Sequence, residues 1–278
     1  MRSVSGLIIG RLSTFFIMEF ITSKDNKRIK SIKKLISSSS FRREEHRFTA
    51  EGLRLCDDAL QSGAEIDAAF FSESFFEKHP DFVDRAKSVA SSCFLLKNSI
   101  FSTLCDTKTP QGVLFVIKTL DKTPDFDKMN KNGKVVVLDN VQDPANLGTI
   151  LRSAEAFGVD LVVLGSDCCD IYAPKVIRGS MGAVFRQRFV ITDDLPGFIR
   201  RFNAFGTSYA AVLDRESTPL SACDFSSSTL CAVGNEGNGL SEAVIAACSR
   251  KVFIPMKGGA ESLNVSAAAS ILIWEMMQ

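Results

Sequence analysis

Six short apolar runs, at 135–138, 161–164, 189–191, 210–213, 230–233 and 252–254, alternate with longer segments of helical character in the second half of the chain. Few folds accept that pattern. Runs of aliphatic residues without polar alternation suit strands buried on both faces, and such strands occur in parallel sheets covered by helices. Helices near 146–157, 174–180, 195–204, 241–248 and 264–277 supply the cover. The expected class is α/β, with a doubly wound parallel sheet over 134–278. Open sheets of this kind bind ligands at their strand ends.

The first half reads as a smaller α/β unit over 18–117. Its helix at 23–36 has Ser23 as a plausible N-cap and buries Ile29, Ile32, Leu35 and Ile36. Strands are expected at 47–50, 66–71, 94–96 and 113–117, with helices at 51–60, near 80–90 and near 98–105. The polar positions of the first helix are mostly basic, including Lys24, Lys27, Arg28 and Lys30, and the serine run 37–40 ends it. Arg42, Arg43 and Arg47 extend the charge. This surface is either a phosphate-contacting face or a solvated one. Residues 118–133 are polar and turn-rich, hence a linker. Residues 1–17 read as a dispensable extension before the start-like Met18, because Arg11 and Glu19 interrupt the apolar stretches. Those stretches are too short to span a bilayer and make a poor signal core, so no membrane role is expected and the cytoplasm is the expected location.

A net charge of +1 argues against a histone-like binder, though not against an enzyme with a local basic patch. None of the eight cysteines forms a C-x-x-C pair, and only two histidines could join them, which points to reduced thiols and to neither a metal site nor a disulfide framework. The turn after 135–138 lacks the G-x-G-x-x-G of a dinucleotide-binding enzyme, and the Gly-Lys-Ser/Thr of a P-loop is missing.

Five segments remain, most of them at strand ends. The first strand leads into Asn146-Leu-Gly-Thr-Ile-Leu-Arg152, and Lys175-Val-Ile-Arg-Gly-Ser-Met-Gly-Ala183 follows, with Gly182 suited to a left-handed helix end. Val233-Gly-Asn-Glu-Gly-Asn-Gly-Leu-Ser241 is a glycine-rich turn whose backbone a ligand can approach closely. Ile254-Pro-Met256 and Glu261-Ser-Leu-Asn-Val-Ser-Ala267 close the series, the latter opening the final helix.

In order and spacing these segments resemble the SpoU/TrmH family of S-adenosylmethionine-dependent RNA ribose 2′-O-methyltransferases. The stretches Phe48-Thr-Ala-Glu-Gly-Leu-Arg54 and Thr109-Pro-Gln-Gly-Val113 look like the ribosomal-protein-like RNA-binding domain that often precedes the catalytic one. The resemblance implies a deep trefoil knot in the C-terminal domain, which chain physics alone would not suggest. It implies a catalytic set of Asn146, Arg152, Glu236, Ser262 and Asn264. Arg152 would assist removal of the 2′-hydroxyl proton, either as a base or by stabilising developing alkoxide charge, and Asn146 would hold Arg152 or the ribose. It also implies that backbone groups of Leu213, Gly234, Asn235, Ile254, Met256 and Leu263 hold S-adenosylmethionine, so that a side chain at Gly234 would enter the cofactor's space. RNA would meet Lys24, Lys27, Arg28, Lys30 and Arg54. No metal is implied. The family's homodimer would complete each site with the partner's arginine, Ile271, Leu272, Ile273 and Trp274 serving either that interface or the core. The substrate implied is rRNA, with tRNA as the alternative, and a non-catalytic RNA-binding or ribosome-assembly protein of the same fold is the rival reading.

Overall fold

In the computed structural model the described residues are 18–105, 107, 109–120, 132–214 and 216–278. The expected extension 1–17 and most of the expected linker lie outside them. The second half forms a seven-stranded sheet in which every neighbouring pair is parallel. Its strands are β6 (Lys134–Leu138), β7 (Leu161–Gly165), β8 (Phe189–Thr192), β9 (Thr207–Ala211), β10 (Thr218–Pro219), β11 (Thr229–Val233) and β12 (Arg250–Phe253), in the order β10-β12-β9-β11-β6-β7-β8. Val135, Val136, Val137 and Leu138 are all buried, as a strand covered on both faces requires. From β6 the chain winds outward through β7 and β8, then resumes on the other side of β6, so the order reverses between β6 and β11. Crevices form at such reversals.

Three helices frame that reversal. Helix α7 (Pro144–Phe157) starts where Asp143 accepts a hydrogen bond from the Ala145 N–H, with proline at its first position. It touches α8 (Pro174–Gly179) so closely that a Cβ on Gly148 would stand 2.9 Å from the Gly179 backbone. The last helix, α12 (Val265–Met276), packs against α7 and β11, with Ser153 and Ser270 sharing a 2.8 Å hydrogen bond.

The first half forms a mixed five-stranded sheet, ordered β1-β4-β3-β5-β2, from β1 (Glu19–Ile21), β2 (Arg47–Glu51), β3 (Ile66–Ser72), β4 (Cys93–Leu96) and β5 (Val113–Lys118). Local chemistry moves several expected boundaries. Asn26, not Ser23, caps α1 (Lys27–Ser37), because its side chain reaches the Arg28 N–H while the Ser23 hydroxyl is taken by Asp25. The serine run does end α1, but Ser38 also caps a further helix, α2 (Ser39–Glu45). Strand β9 runs earlier than the expected 210–213, and Leu213 lies beyond it, 67% exposed.

Arg42 is no part of a basic surface. It is 4% exposed, donates to the Leu35 and Ile36 carbonyls at the end of α1, and pairs with Asp170 of the second half at 2.7 Å. The two halves also share one apolar core. Phe48 of β2 stacks on Tyr172 at 4.7 Å, and the Tyr172 hydroxyl accepts a hydrogen bond from the Leu120 N–H. Removing the first 120 residues would therefore expose core, and the second half should not keep its full stability alone. Phe48→Ala, which truncates a fully buried ring at this seam, should cost about 3–5 kcal/mol in urea unfolding. The whole chain should still unfold in one transition. Two separate transitions would show that the seam does not couple the halves.

Candidate active site

The carboxyl ends of β12, β9, β11 and β6 lie side by side on one edge of the sheet, and each releases a loop there. A cavity of about 370 Å³ opens between the loops after β9, β11 and β12 and the start of α12, within the usual size of a small-molecule site. Leu213, Gly234, Asn235, Ile254, Met256 and Leu263 all line it. So do Glu236 and Ser262.

The turn after β11 is held by its own backbone. Asn235 and Gly239 exchange two 2.9 Å N–H···O bonds, and the Asn235 side-chain oxygen accepts from the N–H groups of Gly237 and Asn238. Its amide donates to the Asn140 carbonyl after β6. A Cβ on Gly234 would land on the backbone of Gly239 and Leu240. The expectation that a side chain here would enter the ligand's space is thus corrected, because it would break the turn first.

Glu236 ties this turn to the loop after β6. Its carboxylate accepts from the N–H groups of Gln142 (3.3 Å) and Asp143 (3.1 Å) and from the Asn146 amide (3.0 Å). The Asn146 oxygen in turn accepts from the Asn264 amide at 3.0 Å, while the Asn264 oxygen caps α12. Asn146 is 7% exposed, with both ends of its amide taken. Desolvation pushes the Glu236 pKa up, but the Asn146 amide and surrounding N–H groups outweigh it and hold the carboxyl below its usual range. Glu236 is therefore an anion at neutral pH and acts as an acceptor that fixes Asn146.

The structure brings Asn146, Glu236 and Asn264 into one network, with Ser262 on the cavity wall beside them. It does not bring Arg152 into contact with them. Six residues along an α-helix is about one and two-thirds turns, so Arg152 faces a different way from Asn146. It is exposed, and its side chain makes no hydrogen bond or ion pair to any described residue. Asn146 thus holds Glu236 and Asn264, where either Arg152 or a ribose was expected.

Three contributors escaped sequence reasoning. Asp139 is 5% exposed and accepts from the Ser241 N–H at 2.7 Å, fixing the far end of the glycine turn. Gln142 and Asp143 act through backbone N–H groups, which carry no side-chain signature. Gly182 is left-handed at φ 87°, as expected, but it opens α9 (Ala183–Arg186) while Ser180 caps α8.

Among the described residues that line the cavity, the ionisable side chains are Glu236 and Glu261, with no lysine, arginine or histidine. That lining disfavours a phosphate-bearing ligand and suits a cationic one. Apolar Leu213, Ile254, Met256 and Leu263 offer a slot for a flat ring. S-adenosylmethionine, with a sulfonium, an ammonium and an adenine, fits this chemistry. Among the described residues no group of three His, Cys, Asp or Glu side chains is placed to hold a metal.

Of the basic residues expected at RNA, Lys24 and Lys27 are exposed and unpaired among the described residues. Arg28 lies 4.4 Å over the Phe94 ring and 3.9 Å from Glu19, and Lys30 lies 3.3 Å from Asp25, both pairs exposed. Arg54 stands elsewhere, on an open groove of about 610 Å³ shared with Lys78, His79 and Arg85.

The sequence profile of the SpoU rRNA Methylase family matches residues 133–274, and that of the MRM3-like substrate binding domain matches 26–114. The 23S rRNA (guanosine(2553)-2'-O)-methyltransferase RlmP of Bacillus subtilis is 30% identical, covering 93% of this chain and 99% of its own. Mitochondrial rRNA methyltransferase 3 of Mus musculus is 29% identical over 90% of this chain and 72% of its own. The AdoMet-bound rRNA methyltransferase from Sinorhizobium meliloti superposes with a TM-score of 0.83 at 28% identity, covering 93% of this chain and 97% of that one.

Two outcomes follow from the geometry. Gly234→Ala should open the 235–239 bridge and weaken S-adenosylmethionine binding at least tenfold, about 1.4 kcal/mol, as read by calorimetry. Unchanged affinity would remove the turn from the site. Because the folded Glu236 pKa lies below its unfolded value of about 4.5, its contribution is complete above that value and is lost only as pH falls through the folded pKa. The Asn146 side-chain NH₂ resonances should accordingly stay put from pH 8 to pH 5 and shift in more acidic solution. Movement near pH 7 would contradict the assignment.

Proposed function

This chain belongs to the SpoU rRNA Methylase family, and on that premise we propose that it methylates a ribose 2′-hydroxyl of structured RNA, with rRNA as the substrate. S-adenosylmethionine supplies the methyl on a cationic sulfonium. The observation that carries this reading is the cavity, whose described ionisable lining is Glu236 and Glu261, joined to the Glu236–Asn146–Asn264 network. A dinucleotide or nucleoside triphosphate would find no cation among the described lining residues. A non-catalytic RNA binder would need neither the cavity nor a network ending on its wall. Preference for rRNA over tRNA rests on relatives whose likeness spans nearly the whole chain, including the substrate-binding half.

In this reading the division into residues 18–117 for RNA, 118–133 as linker and 134–278 for catalysis is kept, with the knot in the last part and the protein in the cytoplasm. Among the described residues no helix is long and apolar enough to cross a membrane. RNA phosphates meet Lys24 just before α1, Lys27, Arg28 and Lys30 on α1, and Arg54 on its groove. Backbone groups of Leu213, Gly234, Asn235, Ile254, Met256 and Leu263 hold the cofactor. Ser262 orients the ribose, and the Glu236–Asn146–Asn264 network fixes the wall on which it stands. Arg152 meets the reacting hydroxyl, where its fixed positive charge offsets the negative charge left on oxygen as the proton departs. Guanidinium stays protonated in proteins, so it stabilises rather than abstracts.

Arg152 stands apart from the cavity of its own chain, which favours a site completed by a second copy. The exposed rings of Phe157 on α7 and Trp274 on α12 touch edge to face at 5.4 Å, with Ile271 also exposed, and give that copy an apolar surface. Leu272 and Ile273 are buried and belong to the core.

Arg152→Ala should cut turnover on rRNA about a hundredfold or more, the scale of losing one oxyanion-type donor, while calorimetry finds cofactor affinity within a few-fold. Arg152→Lys should restore little, since one ammonium cannot reproduce a planar fork. Turnover near wild type in the alanine variant would remove Arg152 from the reaction. Heterodimers of Arg152→Ala and Gly234→Ala chains should regain activity if the site is shared.

A further inference from the structure

The buried Arg42–Asp170 pair stands at one end of a chain of contacts that finishes at Asn146. Asp170 accepts from the Arg42 Nε at 2.7 Å and from the Tyr172 N–H at 2.9 Å, which leaves both its oxygens occupied. The two residues before it hold the loop after β6. The Cys169 N–H donates to the Val141 carbonyl at 2.8 Å. The Cys168 thiol donates to the Leu138 carbonyl at 3.3 Å and receives the Val141 N–H at 3.4 Å. Burial pushes the Cys168 thiol up to about 11, so the sulfur keeps the proton this arrangement needs. The Gln142 side chain donates to the Asp167 carbonyl, while the Gln142 and Asp143 N–H groups hold Glu236. Asn140, in the same loop, adopts φ 55°, a conformation its surroundings must sustain.

The loop 140–143 is thus held between two clamps. Glu236 and Asn235 grip it from the cavity side and the 167–170 segment grips it from behind. Among the described residues the second clamp reaches the other half of the molecule, through Arg42 on Asp170 and through the neighbouring Tyr172, which stacks on Phe48. The Arg42 side chain is itself immobilised by the carbonyls that end α1, the helix proposed to meet RNA.

We propose that Arg42 is a positioning residue for methyl transfer, holding Asp170 so that the 140–143 loop presents Glu236 and Asn146 in register. This rests on the methyltransferase reading. It makes the orientation of the RNA-binding half a determinant of turnover, in addition to any effect on RNA affinity.

The test uses the full-length protein. Arg42→Met keeps much of the volume and removes the charge and the fork. With the folded fraction verified, kcat on rRNA should fall at least tenfold and S-adenosylmethionine affinity should stay within about threefold. Amide hydrogen exchange at Gln142 and Asp143 should quicken. Arg42→Lys should restore part of the loss. Glu44→Gln, an exposed charge removal on the same helix, should change neither kcat nor that exchange. A folded Arg42→Met protein with wild-type kcat overturns the proposal, as does a lower kcat with exchange altered only around residues 35–42 and 170–172. Should Arg42→Met fail to fold, Asp170→Asn, which puts a donor amide in place of one of the two accepting oxygens, must produce the same pairing of lower kcat and faster exchange, and its absence overturns the proposal. Exchange reports the coupling without reference to the reaction, so wild-type protein inactive on rRNA but coupled in this way would overturn the functional reading and leave the linkage standing.

Discussion

One carboxylate holds the candidate site together. Glu236 leaves β11 on a turn that glycine alone allows, and it accepts hydrogen bonds from two N–H groups and one amide of the segment after β6. Those strands are neighbours at the point where the sheet order reverses. Without the carboxylate, the N–H groups of Gln142 and Asp143 and the Asn146 amide would lose an ionised acceptor, and hydrogen bonds to charged groups are worth more than neutral ones. Desolvation opposes the anion, but those donors together outweigh it and hold the Glu236 carboxyl below its usual range. Asn146 is then committed by both ends of its amide, and Asn264 carries the link to the start of the last helix.

Charge is distributed by task. The ionisable residues among the described cavity lining are acids, whereas exposed Lys24 and Lys27 lie around the start of α1, beside the other sheet. A net charge near zero hides that separation. A cationic ligand and a polyanionic one can therefore use the same molecule without competing for one surface. Arg152 belongs to neither set. It stands exposed on α7, apart from the cavity of its own chain.

The two halves are welded more firmly than a linker would suggest. A shared apolar core and a buried ion pair cross the seam. A buried pair broken on one side leaves an uncompensated charge, so Arg42 resists substitution for reasons unrelated to RNA. Reading it as part of a basic surface was reasonable from a run of arginines. The opposing carboxylate, however, is 128 residues away.

Hydrophobic pattern by itself determined the parallel sheet. A strand such as 135–138, apolar at every position, can be buried only on both faces, and the helices between strands then follow. The family resemblance implied which turns would share a site, and the six residues it pointed to all meet on one cavity. Element ends were less legible. Caps compete locally, as Asn26 outdid Ser23, and short helices such as α2 depend on tertiary burial of a residue like Arg42. Partners across the fold were not legible at all. That Asn146 faces Glu236 and Asn264 instead of Arg152 and that Arg42 meets Asp170 depend on contacts between residues about a hundred positions apart, and that Gly234 is required by its own turn depends on how that turn closes onto Gly239 and Leu240. A side chain's type fixes what it can bond to, but only the packed chain decides which partner is within reach.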